Sequence, residues 1–426
     1  MSASKKRRIA RVERDRQRRA EKKASRMKQY DNLDNIITYE NYVQALLKCN
    51  QNVSYKRSTQ EFNMIAIEQI HEIITRTLNG ELPVTNKISK VTINERGKER
   101  IITPISYYDR ITQRVLCDHA LVPVLGNSLI YDNGASTKGK GVDFSRKRLL
   151  KHLNQATKEY GVNYYALVFD FKSFFDSISH SVCHSILDKA FTDKRIVNLT
   201  VGIIESYLIN EIKQEMPDTP EREQLIQSIK EHKASGICLG SQISQVMALA
   251  VPSQLDHYIK DVCSFKHYVR YMDDGVVLAQ NKFELQRLLD GLQAIASQLG
   301  LKFNMKKTRI VPIRKGFTFM KVKYFVTDKG KVVRVLSRCG VTRMRRKLKK
   351  FRKLVDEGKM TLDDVYASFQ SWVSHSRIAK SYNTRQNMMR LYDELFGGYR
   401  ITKKYYKMHS NECLQGGDTG EVLQIA

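Results

Sequence analysis

The stretch from His267 to Ala279 constrains the fold more than any other part of the chain. Two short runs of β-forming residues are interrupted there by Asp273-Asp274-Gly275, and an acidic pair with glycine between apolar runs is a strong β-hairpin signal. Taken alone, such a pair is most often a solvated hairpin tip. The sequence therefore predicts a hairpin with two carboxylates at its tip, whose chemical use depends on what else lies nearby.

Two further segments come earlier in the chain. An apolar run from Tyr164 to Phe169 is typical of a strand and stops at Asp170, where a buried element can present a charge to a cleft. The segment from Gly236 to Gln245 is rich in Gly, Ser and Gln and leads into a helical pattern. Glycine permits close approach of the backbone to a ligand, and the start of a helix offers free N–H groups. The order of strand-aspartate, glycine-rich turn and Asp-Asp hairpin is far more specific than any one of the three.

Phosphoryl transfer gives a chemical reason for three aspartates in this order. Two Mg²⁺ ions about 3.5–4 Å apart neutralise the attacking and leaving oxygens, and such hard cations prefer carboxylate ligands. Neighbouring strands lie about 4.8 Å apart, so one carboxylate from each of two strands can bridge the ions. We therefore expect Asp170 and Asp273 to bridge two Mg²⁺ ions, with Asp274 in support.

The charge of the chain points to a polyanionic partner. Its 426 residues include 73 Lys and Arg against 44 Asp and Glu, a formal net charge of +29, and basic side chains that neutralise phosphates release condensed counterions. No run approaches 18 consecutive apolar residues, so no membrane span or membrane partner is expected. The start lacks the apolar core of a secretory signal, and the cysteines form no CxxC pair. A cytoplasmic setting is therefore the default expectation.

The three segments resemble the palm motifs of reverse transcriptases. FDFKSFFD is similar to the first aspartate motif, GICLGSQISQ to the nucleotide-pocket turn, and YMDD to the second aspartate motif. ERGKERIITPISYYDRITQRVL resembles the fingers hairpin, and LKFNMKKTRI resembles the motif whose lysine lies near the departing pyrophosphate. GFTFMKVKY stands where the primer grip is expected, with Lys321 in place of the glycine commonly found there. The resemblance covers roughly residues 35 to 395.

This resemblance implies a fold and an activity. The fold class is α+β, a right-hand polymerase with fingers, a palm that contains a small antiparallel sheet, and a helical thumb. The expected ranges are a basic N-terminal extension at 1–34, fingers at 35–160, palm at 161–330, helical thumb at 331–396 and a C-terminal tail at 397–426. The activity is RNA-directed DNA polymerisation, in which cDNA is synthesised with two Mg²⁺ ions held at Asp170, Asp273 and Asp274.

The resemblance also implies residues around the substrates. Phe175 stands where the family places a bulky side chain against the sugar 2′ position, as a gate that favours deoxynucleotides. The residues implied to bind the dNTP are Lys98, Arg100, Phe171, Phe175, Leu239, Gly240, Gln242 and Lys307. A basic helical pattern begins near Val341, and its charged residues are expected to hold the template–primer backbone. These residues are Arg343, Arg346, Lys347 and Lys350.

Leu239 distinguishes between types of reverse transcriptase. Leu239-Gly-Ser-Gln-Ile-Ser-Gln245 resembles the enzymes of diversity-generating retroelements, whereas group II intron and retron enzymes usually carry Gln-Gly and Ser-Pro there. Glutamine at position 239 could hydrogen-bond near the nascent pair and leucine cannot, so we hypothesise a low-fidelity enzyme. The alternative is that the Leu239 side chain only packs against the pocket and has no effect on fidelity. The partners implied for this type are a structured RNA template, a DNA or RNA primer and a small basic accessory protein, in a bacterial or phage-encoded setting.

Other functions stay open at this point. One is a group II intron-type reverse transcriptase/maturase, and another is a phage-defence reverse transcriptase. A third is a basic RNA-binding scaffold that kept the fold without catalysis, which the intact aspartate set disfavours because clustered carboxylates are costly without a metal.

Overall fold

The computed structural model describes residues 29–401 except 87, 96 and 97, together with positions 13, 14, 17, 18, 21 and 25. The tail beyond residue 401 and most of the predicted basic extension lie outside the described residues. The chain divides into two compact units, one of Met1–Arg148, Phe169–Val277 and Phe283–Arg309 and one of Leu149–Val168, Leu278–Lys282 and Ile310–Ala426. This division passes through the segments that carry the aspartates, so the three-part arrangement of fingers, palm and thumb stays a prediction.

The first unit is mainly helical. Its helices are α1 (Leu33–Ile36), α2 (Tyr39–Asn50), α3 (Arg57–Met64), α4 (Ala66–Leu78), α5 (Tyr107–Leu116), α6 (Val122–Leu125), the start of α7 (Val142–Tyr160), α8 (Phe174–Ser177), α9 (His180–Ala190), α10 (Lys194–Glu215), α11 (Pro220–Lys230), α12 (Gln242–Ala250), α13 (Ser253–His257) and α14 (Lys282–Gln298). Two π-helical turns, Cys117–Leu121 and Tyr258–Val262, continue α5 and α13.

The first unit also carries the hairpin predicted near Gly97. Strands β1 (Val91–Glu95) and β2 (Lys98–Ile102) pair antiparallel, with Ile93 opposite Arg100. The prediction of this hairpin is confirmed, although Gly97 itself lies outside the described residues.

Two helical predictions need correction. The Ala-, Leu- and Val-rich run from Ser244 to Ile259 predicts one helix, but the structure breaks it into α12 and α13 at Pro252, because proline lacks the N–H that would continue a helix. The apolar spacing from Ile36 to Leu82 predicts a helical run with Ile67 among its apolar positions. In the structure this run is several helices with a break at Ile65, and Ile67 is 81% exposed. Apolar spacing alone therefore overstated the core face of this region.

A four-stranded sheet carries the two aspartate segments. Its strands are β3 (Tyr165–Phe169), β4 (Tyr268–Tyr271), β5 (Asp274–Ala279) and β6 (Arg309–Pro312), in the order β4-β5-β3-β6. β4 and β5 form the predicted antiparallel hairpin, with Tyr271 opposite Asp274. Because β3 and β5 are neighbours, the end of β3 at Phe169 lies beside the strand that begins at Asp274.

The second unit contains a small sheet and three long helices. β7 (Phe317–Phe319), β8 (Val322–Val326) and β9 (Val332–Leu336) form an antiparallel sheet. α15 (Arg338–Asp356), α16 (Leu362–Ser376) and α17 (Tyr382–Phe396) follow. Their shared core includes Leu348 and the stacked pair Phe369 and Tyr392, with ring centroids 4.5 Å apart. Trp372 stacks on Phe369 at 6.1 Å, which supports its role as an anchor of this core.

Lys321, the departure from the family's usual glycine, lies in the two-residue turn between β7 and β8. Met320 and Lys321 have φ of 48° and 67°, in the left-handed region that glycine adopts without a steric cost. This backbone conformation gives a physical reason for the glycine commonly found there. None of the helices among the described residues is long and apolar enough to cross a membrane.

Candidate active site

Asp170 follows directly after β3 and is only 5% exposed. Its backbone carbonyl accepts a hydrogen bond from the Asn304 N–H at 2.7 Å. Its carboxylate Oδ2 accepts from Lys307 Nζ at 2.5 Å and from Asn304 Nδ2 at 3.3 Å. The LKFNMKKTRI segment therefore binds both the backbone and the side chain of Asp170. Lys307 forms an ion pair with the Asp170 carboxylate.

Asp273 and Asp274 lie at the tip of the β4–β5 hairpin and are half-buried. The turn begins at Met272 with φ of 53°, in the left-handed region that a two-residue hairpin turn requires and that is uncommon for a residue other than glycine. Gly275 follows Asp274, and a Cβ at that position would lie 2.1 Å from the Phe169 ring. Glycine is therefore required for β5 to pass close enough to β3 to bring Asp274 beside Asp170.

Burial and neighbouring carboxylates disfavour the charged forms of Asp273 and Asp274. Burial and then the charge of Asp170 raise the pKa of Asp273 to about 6. Burial, followed by the charges of Asp273 and Asp170, raises the pKa of Asp274 to about 7. Burial lowers the pKa of Lys307, but the hydrogen bond and charge of Asp170 outweigh it and the pKa rises. The cluster thus holds more negative charge than its protein surroundings compensate.

A divalent cation fits the chemistry of this donor set, because hard cations prefer carboxylate oxygens and would stabilise the charged forms. Within the described part of the chain, no group of three or more His, Cys, Asp or Glu side chains is placed so that it could hold a metal ion. Lys307 binds the Asp170 carboxylate in this arrangement. Metal binding would therefore require the Asp170 oxygen to exchange Lys307 for the ion.

The nucleotide-pocket turn is hydrogen-bonded to the segment that carries the expected sugar gate. Gly236 N–H donates to the Ile178 carbonyl at 2.9 Å, and Ile237 N–H donates to the Phe175 carbonyl at 3.0 Å. Phe175 is half-buried and meets Phe174 edge-on, with ring centroids 5.6 Å apart. The gate and the turn are therefore held together through the backbone.

The other end of this turn lies against the residue that follows β2. Thr103 N–H donates to the Leu239 carbonyl at 3.2 Å. Gly240 has φ of 129°, and a Cβ there would lie 2.7 Å from the Thr103 carbonyl oxygen. Leu239 lines a cavity of about 310 Å³, together with Thr103, Asp176 and residues of α10. The glycine of this motif is thus explained by the close contact with Thr103.

Three other residues expected to contact the dNTP have different surroundings. The Phe171 ring is 3% exposed and stacks on Phe303 at 4.9 Å and on Phe174 at 5.4 Å, so it packs in an aromatic core and only its backbone is left to meet a nucleotide. Arg100 is exposed on β2. Lys98 lies in the same strand, but its side chain is outside the described part of the chain.

The basic residues expected to hold the template–primer duplex lie on one helix of the second unit. Arg343, Arg346, Lys347 and Lys350 are exposed on α15, while Leu348 of the same helix is fully buried. Lys347 Nζ also donates to Ser368 Oγ at 2.9 Å, which ties α15 to α16. These side chains are thus exposed on one helix face, and their contact with a template–primer duplex stays a prediction.

A buried ion pair that the sequence analysis missed supports the aspartate hairpin. Arg270 is 1% exposed and Asp256 is fully buried, and the guanidinium donates to both carboxylate oxygens at 2.8–3.0 Å. Arg270 Nη1 also donates to the Met272 carbonyl at 3.0 Å, and Tyr268 OH donates to Asp256 Oδ1 at 2.7 Å. Each of the two residues lies inside an apolar pattern of the sequence. Charged residues are seldom fully buried unless they are paired, so these two positions could have indicated a buried ion pair.

Comparison with known proteins identifies a family. The family model described as reverse transcriptase (RNA-dependent DNA polymerase) matches residues 87–324, more than half of the chain. A comparison with curated proteins found no match.

Two solved telomerase structures are similar to this chain. The apo telomerase of Candida tropicalis, truncated from its C-terminal domain, is 14% identical with a TM-score of 0.37 over 63% of this chain and 60% of that chain. The telomerase of Candida albicans, in complex with the TWJ fragment of telomeric RNA, is 11% identical with a TM-score of 0.40 over 80% of this chain and 67% of that chain. This chain therefore spans about three fifths of the first telomerase chain.

The family match covers both aspartate motifs, the pocket turn and the Lys307 segment. It confirms the predicted class, an α+β right-hand polymerase fold with small antiparallel sheets. The chain belongs to the reverse transcriptase family.

Proposed function

We propose that this chain synthesises DNA on an RNA template by nucleotidyl transfer with two Mg²⁺ ions at Asp170, Asp273 and Asp274. Members of the family bind RNA templates and primers and use divalent metal ions. The observation that carries the proposal is the convergence of three carboxylates at the ends of neighbouring strands, two of which, Asp273 and Asp274, have a raised pKa. Such a cluster is costly by itself and is useful where cations and phosphates meet.

The metal ions, when bound, would supply Lewis-acid stabilisation of the attacking and leaving oxygens. Asp170 and Asp273 would hold them, with Asp274 in support. Lys307 has a side chain that is 53% exposed although its ammonium group lies on Asp170. Once its bond to Asp170 is exchanged, Lys307 has the reach and the charge to accompany the departing pyrophosphate.

The residues around the pocket turn would bind the incoming nucleotide. Phe175 would exclude a 2′-hydroxyl, because its backbone is fixed by Ile237 while its ring is only half-buried. Gly240 and Gln242 would let the backbone of the turn approach the nascent pair, and Lys98 and Arg100 would contact the triphosphate from the β1–β2 hairpin. Arg343, Arg346, Lys347 and Lys350 would hold the duplex by its phosphates.

We propose further that the enzyme is of the low-fidelity, diversity-generating type. Leu239 supports this, since it is half-buried beside a cavity and offers no hydrogen bond with its side chain where a glutamine could check pairing geometry. A structured RNA template and a small basic accessory protein would be the partners, in the cytoplasm of a bacterium or from a phage.

The activity is tested by primer extension on an RNA template with Mg²⁺ and four dNTPs. We expect full-length DNA, loss of synthesis when EDTA removes the metal, and recovery when Mg²⁺ is restored in excess. Extension that is unaffected by EDTA would contradict the metal-dependent mechanism. An inactive chain, when tested alone and with candidate RNAs, would favour the RNA-binding scaffold.

The fidelity proposal is tested by sequencing the products of Leu239→Gln. We expect misincorporation to fall by about tenfold, because a polar contact to the correct pair is worth about 1–2 kcal/mol of discrimination. Leu208→Gln is the matched control, because Leu208 lines the same cavity from α10. An error spectrum that is the same in wild type and Leu239→Gln would mean that Leu239 only packs the pocket.

A further inference from the structure

Gln113 is a buried polar side chain to which no step proposed above gives a role. It lies on α5, is 1% exposed, and its side-chain amide is hydrogen-bonded at both ends. Nε2 donates to Tyr207 OH at 2.6 Å, while Oε1 accepts from Ser241 Oγ at 2.9 Å and from Gln242 N–H at 3.0 Å. A satisfied buried amide with three partners is a rigid connection, because leaving any of them unpaired is costly.

The partners of Gln113 stand at the start of α12, directly after Leu239 and Gly240. Ser241 Oγ donates to Gln113 and accepts from Ser244 N–H at 3.2 Å, which caps the helix. Gln242 N–H is one of the groups at a helix start that has no partner within the helix. Gln113 satisfies it and thereby fixes the direction in which the pocket turn enters α12.

The turn is thus attached on both sides of Gly240, at Leu239 and at Ser241 and Gln242. On one side the Leu239 carbonyl accepts from Thr103 N–H at 3.2 Å, and on the other Ser241 and Gln242 bind Gln113. Tyr207, the third partner of Gln113, is 9% exposed and lines the same cavity as Leu239 and Thr103. A change at Gln113 would therefore shift the turn beside the cavity without touching the aspartates.

We propose that Gln113 is a positioning residue that, through Ser241 and Gln242, sets the place of Leu239 and Gly240 and so controls the selection of the incoming dNTP. The inference rests on the proposed function, since it assigns a control to the same nucleotide site. Asp170, Asp273, Asp274 and Lys307 have no hydrogen bond to this network among the contacts described above. Nucleotide selection should therefore respond to Gln113 more strongly than the maximal rate.

The test is single-nucleotide incorporation by the full chain, with the dNTP concentration varied and correct and incorrect dNTPs compared. Gln113→Met removes all three hydrogen bonds at similar volume, and we expect KM for the correct dNTP to rise by about tenfold with little change in kcat. The ratio of correct to incorrect incorporation should fall in parallel. Tyr207→Phe removes only the Nε2 partner and should show a smaller shift of the same kind.

Gln214→Met is the matched control, because Gln214 is an exposed glutamine of α10 whose side chain donates to the Asn86 carbonyl at 3.0 Å. If Gln113→Met does not fold, Ser241→Ala makes the same test, since it removes one donor to Gln113 while the Gln242 bond remains. Equal falls in kcat and kcat/KM, or an unchanged KM and selectivity in both variants, would overturn the positioning role. Failure of the proposed function is distinguishable, because the wild type would then show no metal-dependent synthesis.

Discussion

Two hairpins of this chain turn through left-handed residues other than glycine and are supported differently. The β4–β5 hairpin turns through Met272 with φ of 53°, and the β7–β8 hairpin turns through Met320 and Lys321 with φ of 48° and 67°. In both, residues other than glycine occupy the left-handed region, which costs roughly 1–2 kcal/mol for each such residue. Each hairpin therefore needs interactions elsewhere that keep it closed.

The β7–β8 hairpin is stabilised by contacts between its own two strands, whereas the β4–β5 hairpin also needs a residue from elsewhere in the chain. Phe317 and Tyr324 stand opposite each other on β7 and β8, with ring centroids 5.9 Å apart, a cross-strand pair of the kind that stabilises sheets. At the β4–β5 tip, Arg270 donates to the Met272 carbonyl while paired with buried Asp256. A turn that must present two repelling carboxylates is thus held by Arg270 of its own strand β4, which in turn depends on Asp256 from outside the hairpin.

Asp256→Ala should break that support and have the largest effect on stability. It leaves the Arg270 guanidinium buried without its carboxylate, and losing one partner of a buried ion pair costs about 3–5 kcal/mol. We expect the free energy of unfolding, measured by urea denaturation, to fall by this amount, and DNA synthesis to fall with it. Asp261→Ala is the control, because Asp261 is an exposed aspartate nearby that pairs with His257. Equal stability of the two variants would contradict the supporting role of the pair.

Lys321→Gly should raise the free energy of unfolding, an effect that is smaller than that of Asp256→Ala and opposite in sign. Glycine relieves the left-handed strain but adds freedom to the unfolded chain, so the expected net gain in the free energy of unfolding is about 0.5–1 kcal/mol.

Met272→Gly relieves the same kind of strain, but it loosens the turn that carries Asp273, so we expect a gain in stability together with slower DNA synthesis. Thermal unfolding and primer extension on both variants measure these outcomes. A loss of stability in Lys321→Gly would show that its side chain supports the β7–β8 hairpin more than its backbone strains it.

Features that depend on local sequence were predicted well. The strand that ends before Asp170, the β1–β2 and β4–β5 hairpins and the helix near Val341 follow from patterns within a few residues, and the structure confirms them. The Arg270–Asp256 pair could not be predicted in the same way, because it joins a helix to a strand 14 residues later. Neither could the contact of Lys307 with Asp170, which spans 137 positions. Phe171 shows a related difficulty, since motif spacing gave its position but only packing shows that its ring is in a core.

The most direct test of the central claim is the single-turnover rate of primer extension by Asp273→Asn at saturating dNTP and Mg²⁺. Asparagine keeps the shape of the side chain and removes a charge that its surroundings disfavour, so the variant should fold at least as well as the wild type. We expect the rate to fall by at least about a hundredfold, because charge stabilisation at the reacting phosphate is a large part of such catalysis. Asp328→Asn, an aspartate with an 82% exposed side chain, should leave the rate unchanged. A folded Asp273→Asn variant that extends primers as fast as the wild type would contradict the assignment of the metal site to these carboxylates.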